Sequence, residues 1–148
     1  MKSLRTNGWT VVDPRCVVPD PHAFRRYVQH SSAEFSVAQG IYVATQSGWF
    51  SDRTVRYLAS GKPALVQDTG WSRKYPNRCG LLSFRTLEEA VDGAERIARD
   101  YPAHARAARA IAEEFFDSDR VLSVLMETVA GRPPDVSRRA LSERPPRG

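Results

Sequence analysis

Cysteine is scarce. There are two in 148 residues, Cys16 and Cys79, too few for a disulfide framework and too far apart for the paired spacing of a zinc site. Both are expected to be free thiols, buried or half-exposed, in a reducing cytoplasm. Histidine is scarce too: His22, His30 and His104 have no serine or cysteine patterned beside them, which argues against a hydrolase triad. His104 is expected to lie solvated on an arginine-rich helix. No apolar run approaches the ~18–20 residues that span a bilayer. The opening Met1-Lys2-Ser3-Leu4-Arg5-Thr6-Asn7-Gly8 turns polar before the apolar core of a secretion signal can form, so a cytoplasmic location is expected. What is present is ordinary soluble composition, 41% hydrophobic and 26% charged, at a length suited to one domain.

The net charge is +5, from 22 Lys and Arg against 17 Asp and Glu. Such an excess invites nucleic acid, but most of it sits in residues 131–148. There Arg132, Arg138, Arg139, Arg144 and Arg147 face only Asp135 and Glu143, among Pro133-Pro134 and Pro145-Pro146. This stretch has almost no apolar residues and lacks the aromatics on which single strands stack. It is expected to be a disordered basic tail, and nucleic acid is not an expected partner.

The body reads as strands and helices in alternation. Gly8-Trp9-Thr10-Val11-Val12 is expected to be a short buried strand ended by Asp13-Pro14. Asp20 caps a helix with Pro21 in its first turn, running to about His30. Phe35 to Ala38 and Ile41 to Thr45 are both strand-like around Gly40. Ser51 then caps a helix from Asp52 to Ser60 with Val55, Leu58 and Ala59 on one face, stopped by Gly61 and Pro63. Ala64-Leu65-Val66 has the short, wholly apolar character of a buried parallel strand, followed by the loop Asp68-Thr69-Gly70. Gly80 to Phe84 is a further strand. Thr86 and Glu89 form a capping box ahead of a helix with Leu87, Ala90, Val91, Ala94, Ile97 and Ala98 inward. Pro102 opens a second helix, with Ala107, Ala108, Ile111, Ala112 and Phe115 inward. Asp117-Ser118-Asp119 caps a third, with Val121, Leu122, Leu125 and Val129 apolar and Gly131 at its end.

The expected fold is therefore α/β: a Rossmann-like, mostly parallel sheet with helices on both faces, followed by C-terminal helices, with residues 8–130 as one domain. About four strands can be counted where nucleotide-binding sheets of this kind carry five or six. Some N-terminal strands are thus expected to be missing, leaving an uncovered sheet edge.

In open α/β sheets ligands bind beyond the carboxyl ends of the strands. Two loops qualify. Ser47 to Asp52 offers Gly48 for close backbone approach, the Ser51 hydroxyl and a helix N-terminus suited to phosphate, although Asp52 opposes an anion there. Asp68-Thr69-Gly70-Trp71 is a small polar loop that suits a sugar or diphosphate. The plainer alternative for the first loop is a capped turn whose Trp49 and Phe50 are core. Glu34, Gln39, Arg53 and Trp71 are weaker candidates: Glu34 for reaching the cleft, Arg53 and Arg56 for neutralising phosphate, Trp71 for stacking on a base or sugar.

The strings Gly48-Trp49-Phe50-Ser51-Asp52-Arg53, Tyr57-Leu58-Ala59-Ser60-Gly61-Lys62-Pro63 and Gln67-Asp68-Thr69-Gly70, in this order, resemble the C-terminal half of bacterial glycosyltransferases of the GT-B fold. The similarity runs over roughly residues 8 to 130. It implies a nucleotide-sugar donor lobe, with Gly48, Trp49, Phe50 and Ser51 toward the diphosphate and Asp68, Thr69 and Gly70 toward the transferred sugar. It implies no metal and no cofactor besides the donor. Departures are plain. Many retaining members carry two glutamates eight positions apart where this chain has Gly48 and Arg56, so the ribose-binding carboxylate is missing. Closer relatives of the pattern carry Lys where Gln39 stands and Gly-Glu where Arg78-Cys79 stand. The acceptor lobe has no counterpart in 148 residues, so no catalytic base can be nominated. The resemblance implies a lobe inactive alone, completed by a second polypeptide or by a homodimer through the uncovered edge. The rival reading is a non-catalytic Rossmann-like module that binds a nucleotide or a protein.

Overall fold

A computed structural model describes residues 2–131; the basic tail expected beyond Gly131 lies outside the described residues. Two short exposed helices, α1 (Lys2–Thr6) and α2 (Pro14–Val17), lead into α3 (Pro21–His30), β1 (Glu34–Ser36), α4 (Gly40–Ala44) and α5 (Asp52–Ala59). Then come β2 (Ala64–Gln67), a 3-10 turn (Trp71–Arg73), β3 (Leu81–Phe84), α6 (Leu87–Arg99), α7 (Tyr101–Phe115) and α8 (Ser118–Val129).

The local stop and start signals act as their chemistry dictates. Asp20 accepts the Ala23 N–H at 2.8 Å and Pro21 stands in the first turn of α3. Ser51 accepts the Arg53 N–H at the start of α5, and Asp117 accepts that of Arg120 at the start of α8. Thr86 caps Glu89 as expected, but the Glu89 carboxylate reaches one residue further back, accepting the Arg85 N–H at 2.6 Å. Gly61 closes α5 in the left-handed conformation, at φ +66°.

The three strands are parallel and adjacent in chain order, with Phe35 beside Leu65 and Leu65 beside Leu82. Period-two alternation then divides the core into two layers. On one face Ala64, Val66 and Leu81 pack with Leu58 of α5, Trp71, and Ala108, Ile111 and Ala112 of α7. On the other, Leu65, Leu82 and Phe84 pack with Ala90 and Ile97 of α6. The architecture is α/β, a parallel sheet with helices on both faces. Gly93 is the reason α6 lies so close: a Cβ there would come 2.6 Å from Leu65 Cδ1.

Several expectations are corrected. Gly8 to Val12 form no strand. Gly8 turns the chain at φ +82°, and Trp9 is left half-exposed against Phe35. Ile41 to Thr45 is helical, not extended: Thr45 N–H and Oγ1 both bond the Ile41 carbonyl, and no neighbouring strand is there to pair with it. The sheet among the described residues accordingly has three strands, not four. On α5 the buried side chains are Thr54, Tyr57 and Leu58, one position round from the expected Val55 and Ala59. On α6 only Ala90, Gly93 and Ile97 are buried, and Leu87 and Val91 face solvent. On α7, Ala107 and Phe115 are half-buried, while the expected Ala108, Ile111 and Ala112 are fully inside. The apolar stripe of α8 covers nothing, and Val121, Leu122, Leu125 and Val129 are exposed. Cys16 is an exposed thiol and Cys79 a half-buried one, both free.

Candidate functional site

The two candidate loops are physically one structure. Gly48 donates its N–H to the Thr69 carbonyl at 2.8 Å, and the Thr69 hydroxyl donates back to the Trp49 carbonyl at 2.6 Å. Thr69 has no accessible surface, so this reciprocal pair is a dry clasp between the loop entering α5 and the loop leaving β2. Gly48 at φ +77° and Gly70 at φ +93° both need the left-handed conformation, which only glycine adopts without strain. A side chain at Gly48 would meet open space within 4 Å, so the backbone there is bare.

Within the clasp most of the nominated side chains are already occupied. Ser51 is buried and its Oγ serves as the α5 cap. Phe50 packs inward on Trp71, Tyr75 and Phe116. Trp49, by contrast, is exposed and stacks on Tyr42 with ring centroids 5.0 Å apart, so only half of the plain alternative (both aromatics as core) holds. Asp68 does not face outward. Its side chain is 1% exposed and is bound by the Gly70 N–H at 2.9 Å, the Ser72 hydroxyl at 3.0 Å and the Arg85 guanidinium at 2.7 Å. Burial alone would raise its pKa, but these donors outweigh burial and hold the carboxyl below the usual range. Asp68 thus positions the loop, its carboxylate already bound by Gly70, Ser72 and Arg85.

The weaker candidates fare differently. Glu34 is buried. Its Oε1 accepts from Arg53 Nε at 2.7 Å while Oε2 has no partner, as is true of the buried Thr54 hydroxyl on α5. Arg53 also donates to Ser36 Oγ at 2.8 Å, joining α5 to β1. Arg56 is paired with Asp52 and lies over the Phe24 ring. Trp71 is wholly buried with its Nε1 on the Gln67 carbonyl, which removes it as a stacking platform. Gln39 is exposed at the start of α4 and makes no side-chain cap bond there.

A cleft of about 510 Å³ opens beside the clasp, between the end of β3 and α6, lined by Asp68, Ser83, Arg85, Glu89, Asp92 and Arg96 among others. It shares only Asp68 with the nominated loops. Sequence reasoning missed Arg85, although its place just after a strand's carboxyl end was the available signal. It also missed Arg73, whose Nη2 donates to the Gln46 carbonyl at 2.9 Å. His104 is buried, not solvated: its Nδ1 accepts the Gly80 N–H at 3.1 Å, tying α7 to the start of β3. Burial, aided by nearby Arg96, pushes its pKa below the usual imidazole value.

The chain contains one Asp-x-Asp triplet, Asp117-Ser118-Asp119, at the capped start of α8, and no group of His, Cys, Asp or Glu among the described residues is arranged to hold a metal. No helix among them is long and apolar enough to cross a membrane. The chain matches no family model, no curated protein and no solved structure.

Proposed function

We propose that this chain is a nucleotide-sugar donor-binding lobe of GT-B type, whose acceptor side is supplied by a second lobe. The observation that carries the reading is the clasp: Gly48 and Thr69, picked out separately by the sequence strings, are bonded to each other at the carboxyl end of β2. The bare backbone at Gly48 and the helix start behind it suit a diphosphate. Buried Asp68 keeps Gly70 in place beneath the sugar. In this reading the chain binds and orients a donor, and the base for the acceptor hydroxyl comes from elsewhere. The missing ribose carboxylate, with Arg56 in its place and paired to Asp52, makes the nucleoside end the weaker half of the interaction.

Calorimetric titration with UDP, GDP, dTDP and their sugar conjugates tests this. One of them should bind in the micromolar to millimolar range. Gly48→Asp should abolish that binding, while the uncharged Gly48→Ala, also at positive φ, should retain part of it. A folded chain that binds none of these nucleotides refutes the reading.

A second reading, a non-catalytic protein-interaction module, is favoured by one observation. The whole apolar stripe of α8, from Val121 to Val129, stands exposed in the single chain, as do Phe35 and Val37 at the sheet's β1 side. A chain that ignores nucleotides but associates through α8 would bear this second reading out.

A further inference from the structure

The acids around the clasp are already paired, and Arg73 is not. Asp52 is paired with Arg56, Asp68 with Arg85 and Glu34 with Arg53. Arg73 has no carboxylate partner among the described residues. Its Nη2 donates to the carbonyl of Gln46, at 2.9 Å. Gln46 is the only non-glycine described residue with positive φ, at +48°.

The mounting of Arg73 is firm, and its head is tied only to the Gln46 carbonyl. It ends the 3-10 turn that begins with fully buried Trp71, and its own N–H bonds the Gly70 carbonyl at 3.3 Å. Its guanidinium lies against Gly70. A Cβ built there would stand 2.8 Å from Arg73 Cζ and collide with Nη2, so the absence of a side chain at Gly70 is what lets the cation rest on the loop. Arg73 therefore bridges the two halves of the clasp, from the Gly70 backbone to the Gln46 carbonyl, two residues before bare Gly48. A guanidinium held by a single neutral acceptor, beside an open glycine backbone, is poised to exchange that acceptor for a phosphate oxygen, which it binds more strongly and with two N–H groups at once.

The geometry points to Arg73 as the residue that binds the diphosphate of a ligand seated over Gly48 and Gly70, leaving the Gln46 carbonyl to do so. This rests on the donor-lobe reading and adds to it the cation that Gln39 does not supply. Arg73 discriminates by charge. It strengthens a nucleoside diphosphate and is indifferent to the nucleoside.

The test is calorimetry on the full chain and its Arg73→Ala and Arg73→Lys variants. The probes are UDP, GDP and dTDP, each against its unphosphorylated nucleoside, with inorganic pyrophosphate as a further arm. Arg73→Ala should weaken the diphosphate that binds by about tenfold and leave its nucleoside unchanged, with Lys recovering part of the loss as a point charge. The salt sensitivity of diphosphate binding should fall in the Ala variant. Pyrophosphate that competes with the nucleotide only when Arg73 is present supports the same assignment. Equal losses for diphosphate and nucleoside would mean that Arg73 merely shapes the loop, and would overturn the inference. Undiminished diphosphate binding in Arg73→Ala overturns it while leaving the donor-lobe reading intact. No binding of any diphosphate by the parent chain overturns both.

Discussion

Asp68 offers the sharpest test of how the candidate loop is held. Replacing it by alanine removes the acceptor for the Gly70 N–H, which is buried, and a buried donor left alone costs about 1–3 kcal/mol. The Ser72 hydroxyl, half-buried, loses a bond worth roughly 0.5–1.5 kcal/mol. The Arg85 guanidinium is 66% exposed and can return to water, so its ion pair adds only about 0–1 kcal/mol. Together the expected destabilisation is about 1.5–5.5 kcal/mol at neutral pH. Asp68→Asn keeps one oxygen for Gly70 and should recover half or more of that. Urea unfolding at constant m-value measures both. The carboxyl is held below its ordinary pKa, so its contribution is present above the unfolded value of about 3.9 and is lost as pH falls from there through the lower folded value. The difference between parent and Asp68→Ala should therefore shrink in strong acid. A loss under about 1 kcal/mol for alanine, or equal losses for alanine and asparagine, would refute the claim that this carboxylate organises the loop.

Two further outcomes follow from the junction of α7 and β3. His104 accepts from Gly80 in its neutral form and its pKa is lowered. Unfolded chains therefore take up a proton near pH ~6.5 that the folded chain refuses until a lower pH, and stability should decline as pH falls through that window. His104→Asn, which keeps an acceptor but cannot titrate, should flatten this slope in urea titrations run on both sides of the window. Gly80→Ala meets two penalties at once, a left-handed φ of +93° and a Cβ driven into the backbone of Ala107 and Ala108. It should cost roughly 3–4 kcal/mol, against about 1 kcal/mol for Gly61→Ala, where the conformation is similar but the nearest atom is at ordinary contact distance, 3.6 Å. Thermal or urea unfolding of the pair settles whether α7 truly rests on Gly80.

The elements most readable in the sequence are those specified by neighbours along the chain. Asp20-Pro21, Ser51, Thr86 and Asp117 begin helices because a short polar side chain can reach an N–H two or three residues on, whatever the rest of the molecule does. Gly61 ends α5 for an equally local reason. Ala64 to Gln67 is a strand flanked by strands on both sides, so an uninterrupted apolar run was sufficient signal. The strings around Gly48 and Asp68 likewise marked two loops that turn out to be bonded to each other.

Tertiary structure decided everything that depends on a partner distant in the chain. Trp9 to Val12 and Ile41 to Thr45 have strand-like composition, but a strand exists only where another strand accepts its backbone bonds, and neither segment is paired. Helical periodicity located apolar stripes on α6 and α8 without revealing that Leu87, Val91 and most of α8 would find nothing to cover. The polar residues show the same division. Sequence could nominate Glu34, Asp68 and His104 as chemistry-bearing types. Only the folded chain places Arg53, Arg85 and the Gly80 N–H against them, so that a glutamate nominated to reach the cleft, an aspartate nominated toward the sugar and a histidine expected to be solvated are all buried and bonded. Local capping and turn preferences are short-range and legible in order along the chain, whereas burial and ionisation are set by which surfaces meet, and that is fixed only by the packed structure.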